Sequence, residues 1–93
     1  MTPRITVCTR ADGTFEILVN EAGRDLLVNE LQKLSQNREH CHIAHVDDTG
    51  MRHTTDVPLS NIPYRDGDIC LLYGKVLLRP DDWDRTHYPH VLV

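Results

Sequence analysis

The stretch that decides the fold runs from Asn20 to Val46 and reads NEAGRDLLVNELQKLSQNREHCHIAHV. At 100° per residue, one stripe of a helix collects the apolar side chains, and the polar ones fall on the opposite side. The stripe consists of Gly23, Leu27, Leu31 and Leu34. Asn20 is suited to accept the first free backbone amides as N-cap. The pattern therefore predicts a helix from Glu21 to Gln36, followed in the sequence by a strand from His40 to Val46.

Before this helix the pattern changes to the two-residue period of strands. Residues 4–10 and 15–19 both alternate, and the turn dipeptide Asp12-Gly13 separates them. Two alternating runs joined by Asp-Gly predict a β-hairpin. The side chains of Phe15, Ile17 and Val19 are expected to face the helix. Gly23 lies on the apolar stripe, which predicts a close approach between the helix backbone and the sheet.

After the helix, two more strands are expected. Residues 51–57 are polar and typical of an edge strand, which Pro58 ends. Residues 69–78 are apolar on both faces, which favours a central position in a sheet. The whole chain, residues 1–93, is thus predicted to be a single α+β domain in β-β-α-β-β-β order. Its expected architecture is a four- to five-stranded antiparallel or mixed sheet with one long helix packed on one face.

Charge is distributed unevenly along the chain. The 93 residues carry a net charge of -4, with 14 acidic and 10 basic side chains. Residues 1–38 hold five acids and five bases, whereas residues 39–93 hold nine acids and five bases, so the excess lies in the second half. This balance disfavours nonspecific binding to nucleic acid or to an anionic membrane. It favours a basic partner.

Cysteine use and hydropathy indicate the compartment. Cys8, Cys41 and Cys70 lie in apolar segments without a CxxC pair, which predicts reduced, buried thiols. The sequence shows neither an amino-terminal signal segment nor a run of about 18 apolar residues that would span a membrane. We therefore expect a cytoplasmic protein.

The histidines next to the helix are the candidate metal ligands. On a strand, His40 and His42 share a face, while His45 and Asp47 point to the other. Two ligands do not make a site, so we expect neither a metal nor another cofactor. Nucleophile-elbow, HExxH and phosphate-loop motifs are also missing, so no catalytic residues are assigned and an enzyme is not expected. The alternative, a small metal-binding or hydrolytic domain using the His40, His42 and His45 cluster, stays open.

The carboxy-terminal tail is the leading candidate for a binding surface. Trp83 and Tyr88 lie among acidic residues there, and aromatic anchors within complementary charge are typical of protein interfaces. The alternative is a final strand whose Trp covers the end of the core. The predicted partner-binding residues of the second half are Asp47, Asp48, Asp66, Asp68, Asp81, Asp82, Trp83, Asp84 and Tyr88.

Three features together carry a family resemblance: the hairpin, the segment VNEAG at residues 19–23 that opens the leucine-striped helix, and the segment HCHI at residues 40–43 that starts the next strand. With the later strand up to Leu78, they resemble the immunity protein 32 family of bacterial polymorphic toxin systems over residues 5–78. The resemblance implies an intracellular antidote used in bacterial competition, which binds a cognate toxin and blocks its active site. The loop over residues 58–68 and the acidic aromatic tail depart from the family pattern and are where we expect cognate specificity to lie.

Overall fold

The computed structural model describes residues 2–45 and 55–93, and this part of the chain is α+β, as predicted. Its elements in chain order are β1 (Ile5–Thr9), β2 (Phe15–Val19), α1 (Glu21–Gln32), β3 (His40–Ala44), β4 (Val57–Pro58), β5 (Ile69–Cys70), β6 (Tyr73–Leu77), α2 (Asp81–His87) and a 3-10 helix (Pro89–Leu92). Within these residues, no helix has the length and apolar character that crossing a membrane requires.

The β1–β2 hairpin forms as predicted. Its strands pair antiparallel from Ile5 opposite Val19 to Thr9 opposite Phe15. In the turn, the Asp12 carboxylate accepts hydrogen bonds from the backbone amide and the hydroxyl of Thr14. Gly13 takes a φ of 90°, which a residue with a side chain rarely adopts. The Asp-Gly dipeptide therefore forms the predicted turn, because Gly13 can adopt this positive φ.

Helix α1 begins where the sequence predicts and ends four residues early. The Asn20 side chain caps it by accepting a hydrogen bond from the Gly23 amide at 2.7 Å. The helix ends at Gln32 rather than Gln36. Beyond it, the backbone amide and carbonyl of Ser35 bond to the carbonyl and amide of Arg38. This closed turn satisfies the backbone locally, so the helix stops although Leu34 continues the apolar stripe.

The prediction of a single four- to five-stranded sheet with one long helix is wrong. The described residues form two three-stranded sheets, in the orders β2-β1-β5 and β4-β3-β6, and two α-helices. The first sheet is antiparallel throughout, whereas β4 pairs parallel to β3 in the second.

The predicted central strand at residues 69–78 accounts for the division. It is split into β5 and β6, and each lies at the edge of its own sheet. The Leu71 amide donates to the Val7 carbonyl of the first sheet, while the Leu72 carbonyl accepts from the His45 amide beside the second. Leu71 and Leu72 lie outside any strand, so β5 and β6 are separate strands and these two residues link the two sheets.

The core lies where the two sheets meet under α1. Its buried residues are Ile5, Val57 and Leu59, with Val7, Leu27 and Ile43 packed against them. The sheets are joined here, since the Leu59 amide donates to Ala44 and the Ser60 amide donates to Ile5. This core is small, which leaves much apolar surface in contact with solvent.

Helix α1 covers only part of the sheet face that the hairpin offers. Ile17 lines the apolar space under the helix, as predicted, yet it is 53% exposed, and Phe15 is 67% exposed. Leu31 of the predicted packing stripe is 41% exposed. The predicted faces are thus correct, but their burial is incomplete.

The edge strand predicted over residues 51–57 is observed only as β4, which is two residues long. Residues 51–54 of the prediction lie outside the described part of the chain, as do the predicted contact residues Asp47 and Asp48.

Candidate partner-binding surface

The carboxy-terminal residues form a helix, so the predicted alternative of a final strand is wrong. Pro80 precedes α2, and proline is well tolerated at a helix start because it lacks an amide hydrogen. Asp81, Asp82 and Asp84 occupy the first turn, where negative charge is favourable to the helix dipole. The same acids that suggested a binding surface therefore also stabilise the helix that carries them.

Trp83 sits at the centre of an aromatic cluster on α2. The ring of His87 lies 4.2 Å and that of Tyr88 5.6 Å from the indole, measured between centroids. The guanidinium carbon of Arg79 lies 4.3 Å from the same ring centre. These contacts hold Trp83 half-buried, and Tyr88 remains 49% exposed.

Helix α2, which is described along its whole length, contains no buried residue. It follows β6 through Leu78, whose amide bonds to the Glu39 carbonyl, and the Arg79 guanidinium lies 3.8 Å from the Glu39 carboxylate. Trp83 therefore packs on its own helix and on Arg79 and does not plug the central core.

A cleft of about 440 Å³ separates α2 from the chain that follows α1. Ser35, Gln36 and Glu39 form one wall, and Pro80, Asp82 and Trp83 form the other. A cleft lined by one aromatic face and several polar groups suits an inserted side chain of a partner.

The predicted acidic residues do not act as one surface. Asp82 is paired with Arg85 of the same helix. Asp68 lies 3.0 Å from the Arg65 side chain, and its own side chain is only 5% exposed. Among the ion pairs of the described residues, none includes Asp66, Asp81 or Asp84. Asp68 is therefore closed off from a basic partner, whereas the side chain of Asp82 stays 93% exposed despite its pairing with Arg85.

Asp68 belongs instead to a cluster on the outer face of the first sheet. Arg65 bonds both Glu16 of β2 and Asp68, and Arg10 lies 3.8 Å from Asp68. The Cys8 thiol donates to Asp68 at 3.8 Å. Cys8, Glu16 and Asp68 hold ligand atoms within 4.8 Å of one another, as a metal site would. Arg65, however, already supplies the positive charge between the two carboxylates.

The histidines are arranged as their strand positions predict. His40 and His42 share a face of β3, and their ring centroids lie 5.0 Å apart in an edge-to-face arrangement. The His45 ring bonds the Leu59 carbonyl at 3.1 Å instead. In the described residues, the histidines do not assemble a group of three possible metal ligands. His45 has a structural role as a link between β3 and the chain after β4.

Sequence reasoning missed a second charged cluster, centred on Glu30. This residue is only 7% exposed, and its carboxylate bonds Arg38 at 2.7 Å and Lys33 at 3.1 Å. Arg38 also lies 3.3 Å from Asp56, which accepts a hydrogen bond from the His42 amide. The hydrogen bond from Arg38 holds the pKa of Glu30 below its usual value, against the opposing effect of burial. Through Arg38 and Asp56, the cluster connects the end of α1 to β3.

Sequence reasoning also missed an exposed apolar row on the first sheet. Phe15 and Ile69 both lie opposite Thr9, one on each neighbouring strand, so they share a face with it. They are 67% and 66% exposed. Alternation alone predicts the face of these residues but not whether anything covers it, and exposed apolar clusters often mark contact sites.

Comparison with protein-family models, with curated proteins and with solved structures finds no match to this chain.

Proposed function

We propose that this protein is a noncatalytic, cytoplasmic immunity protein that binds a basic toxin domain and blocks its activity. The observation that carries the proposal is the composition of α2, where the only tryptophan of the chain is half-buried in an aromatic cluster beside three acids. Large aromatic residues with neighbouring charge are the usual anchors of protein interfaces. The resemblance of residues 5–78 to the immunity protein 32 family supports the same class of function.

The charge of the chain supports a basic partner. With a net charge of -4 and the excess acids in the second half, the protein attracts a cationic domain such as a nuclease at long range. Charges at the rim of an interface speed encounter more than they prolong the complex. We assign this role to Asp81 and Asp84. We assign to Trp83 and the cleft beside it the role of holding the partner after encounter.

The first experiment asks whether a partner exists. The genes next to the coding sequence are inspected for a large secreted toxin, and its carboxy-terminal domain is expressed with and without this protein. We expect the domain to be toxic alone, harmless on co-expression, and recovered in a stoichiometric complex. Continued toxicity with both proteins folded and present would rule out the proposed function for that pair.

The second experiment locates the binding energy. Trp83→Ala is expected to speed dissociation of the complex by a factor equivalent to about 2 kcal/mol, as a central aromatic anchor does. Tyr73→Ala is the matched control, because Tyr73 of β6 is a 67% exposed aromatic residue outside both α2 and the loop over residues 58–68. Both rates are measured by surface plasmon resonance on variants whose circular dichroism matches the wild type.

The acids are tested separately. Changing Asp81 and Asp84 together to asparagine is expected to slow association and flatten its dependence on salt, with little change in dissociation. Asp25→Asn, an exposed acid on α1, is the control. If the tail variants bind normally and Phe15→Ser does not, the interface lies on the apolar row of the first sheet instead.

A further inference from the structure

We propose that Cys8 and Cys70 form an oxidative modification site, a thiol pair that a hydroperoxide closes into a cross-strand disulfide. This inference is independent of the proposed function. It rests on the register of the first sheet, on the unequal exposure of the two thiols and on the carboxylate that contacts one of them.

The register places the two cysteines directly opposite each other on β1 and β5, although 61 residues separate them in the sequence. The Leu71 amide donates to the Val7 carbonyl, so that pair is hydrogen-bonded across the two strands. Hydrogen-bonded and non-hydrogen-bonded pairs alternate in an antiparallel ladder. Cys8 and Cys70 therefore form a non-hydrogen-bonded pair.

A pair of this kind has the geometry that a disulfide needs. Non-hydrogen-bonded partners have Cα atoms about 4.5 Å apart. Disulfides span Cα separations of about 4.4 to 6.8 Å, so the bridge fits at the close end of this range.

The surroundings assign a role to each sulfur. Cys70 is half-buried and the only one of the three thiols that is not fully buried, whereas Cys8 is 0% exposed. A peroxide therefore reaches Cys70 first. The Cys8 thiol donates a weak hydrogen bond to the Asp68 carboxylate at 3.8 Å, and this contact orients the thiol.

The reaction balances with a hydroperoxide as the oxidant. The Cys70 sulfur attacks a peroxide oxygen, and the O–O bond breaks. The departing hydroxide takes the thiol proton and leaves as water, and Cys70 becomes a sulfenic acid. The Cys8 sulfur then attacks the Cys70 sulfur, an S–S bond forms, the S–O bond breaks, and the hydroxyl leaves as water with the proton of the Cys8 thiol. Two thiols lose two electrons and two protons, and hydrogen peroxide becomes two molecules of water.

Cys41 serves as the internal control. It is 0% exposed on β3 of the second sheet, where its cross-strand neighbour is Val76. Burial, together with the nearby Asp56 carboxylate, raises the pKa of this thiol, which suppresses the reactive thiolate. Cys41 is therefore expected to stay reduced under conditions that close the Cys8–Cys70 pair.

The test treats the folded, full-length protein with hydrogen peroxide and follows its intact mass. We expect the wild type to lose the mass of two hydrogen atoms without forming dimers, and to keep one free thiol after unfolding. Peptide mapping should join Cys8 to Cys70, and dithiothreitol should reverse the change. Cys41→Ser should show the same loss, whereas Cys70→Ser and Cys8→Ser should not.

Folding of each variant is checked by circular dichroism. If Cys8→Ser does not fold, Cys70→Ser still tests the proposal, because it also removes one of the two sulfurs of the bridge. A bridge that includes Cys41, or an intramolecular bridge in Cys70→Ser, would overturn the proposal. So would a folded wild type that keeps three free thiols in peroxide sufficient to oxidise free cysteine. Retention of one equivalent of zinc by the reduced protein, lost in Glu16→Gln, would instead make the cluster a metal site and also overturn it.

Discussion

The guanidinium carbon of Arg79 lies 4.3 Å from the centre of the Trp83 ring, and this contact connects α2 to the chain that leaves β6. A cation over an indole contributes about 0.5 to 1 kcal/mol at an exposed site. Helix α2 is described along its whole length, and none of its residues is buried. Few other contacts therefore orient the helix. The position of the proposed binding helix therefore depends strongly on Arg79.

Arg79→Ala is expected to loosen α2 without unfolding the domain. Amide hydrogen exchange should become faster over residues 81–87 and stay unchanged in β1, because α2 lies outside the core. The fluorescence of the single tryptophan should also change as its cationic neighbour is lost. Glu39→Gln is the control, since it removes the partner of Arg79 but leaves the guanidinium over the ring. Equal effects of the two changes would assign the restraint to the ion pair.

The Glu30 cluster predicts a pH dependence of stability. Because Arg38 and Lys33 lower the pKa of Glu30, the folded state binds this proton less readily than the unfolded state, where the pKa is near 4.5. The stabilisation is therefore complete above that value and is lost as the pH falls through the lower pKa of the folded state. Acid should weaken the attachment of α1 to β3.

Glu30→Gln should accordingly lower the free energy of unfolding by about 1 to 3 kcal/mol at neutral pH, as expected for a charged hydrogen bond. The difference from the wild type should shrink as the pH is lowered below 4.5. Urea melts over this range measure it. Asp25→Asn, which breaks an exposed pair on the same helix, should change little at any pH. A Glu30→Gln effect that does not vary with pH would mean that shape, not charge, is responsible.

Gly23 gives a prediction in which helix propensity and packing oppose each other. Alanine is better than glycine in a helix by about 1 kcal/mol. A Cβ atom at Gly23 would lie 2.9 Å from Cγ1 of Ile5, however, and closer still to the Arg4 carbonyl oxygen. Moving a backbone carbonyl oxygen aside costs more free energy than moving a flexible side chain. We therefore expect the steric clash to outweigh the gain in helix propensity.

Gly23→Ala should therefore lower the free energy of unfolding by about 1 to 3 kcal/mol, the usual range for overpacking. Asn29→Ala, at an exposed position of the same helix, should raise it by a few tenths of 1 kcal/mol through propensity alone. Thermal melts of the two variants make the comparison. A stabilised Gly23→Ala would show that α1 does not approach β1 as closely as described.

The sequence predicts those features that depend on neighbouring residues. The Asp12-Gly13 turn, the Asn20 cap and the close approach at Gly23 all follow from local chemistry and are confirmed. The end of α1 does not, because the Ser35 turn that stops it competes with the stripe that continues to Leu34. Local periodicity cannot decide between the two.

Features that depend on distant residues were not predictable in the same way. The apolar run at 69–78 indicates burial, but its pattern does not reveal the break at Leu71 and Leu72, which lie outside any strand. The opposition of Cys8 and Cys70 depends on the pairing of β5 with β1, which joins residues distant in the sequence. At the candidate site, the sequence located the aromatic residues of the tail, whereas the pairing of Asp68 with Arg65 needed the folded chain.

The apolar residues around α1 are expected to contribute unequally to the free energy of unfolding. Ile5 and Leu31 line the same apolar cavity of about 250 Å³ between α1 and the sheets. Ile5 is 2% exposed and belongs to the buried cluster, whereas Leu31 is 41% exposed. A side chain that already contacts water has less transfer free energy to lose.

Ile5→Ala should therefore lower the free energy of unfolding by about 2 to 5 kcal/mol, the range for truncating a buried isoleucine. Leu31→Ala should cost roughly 1 kcal/mol, since only part of the side chain is removed from an apolar surrounding. Denaturant melts with equal slopes permit the comparison. Equal losses at the two positions would mean that Leu31 is buried in solution, and that α1 covers the sheet as fully as its leucine stripe predicts.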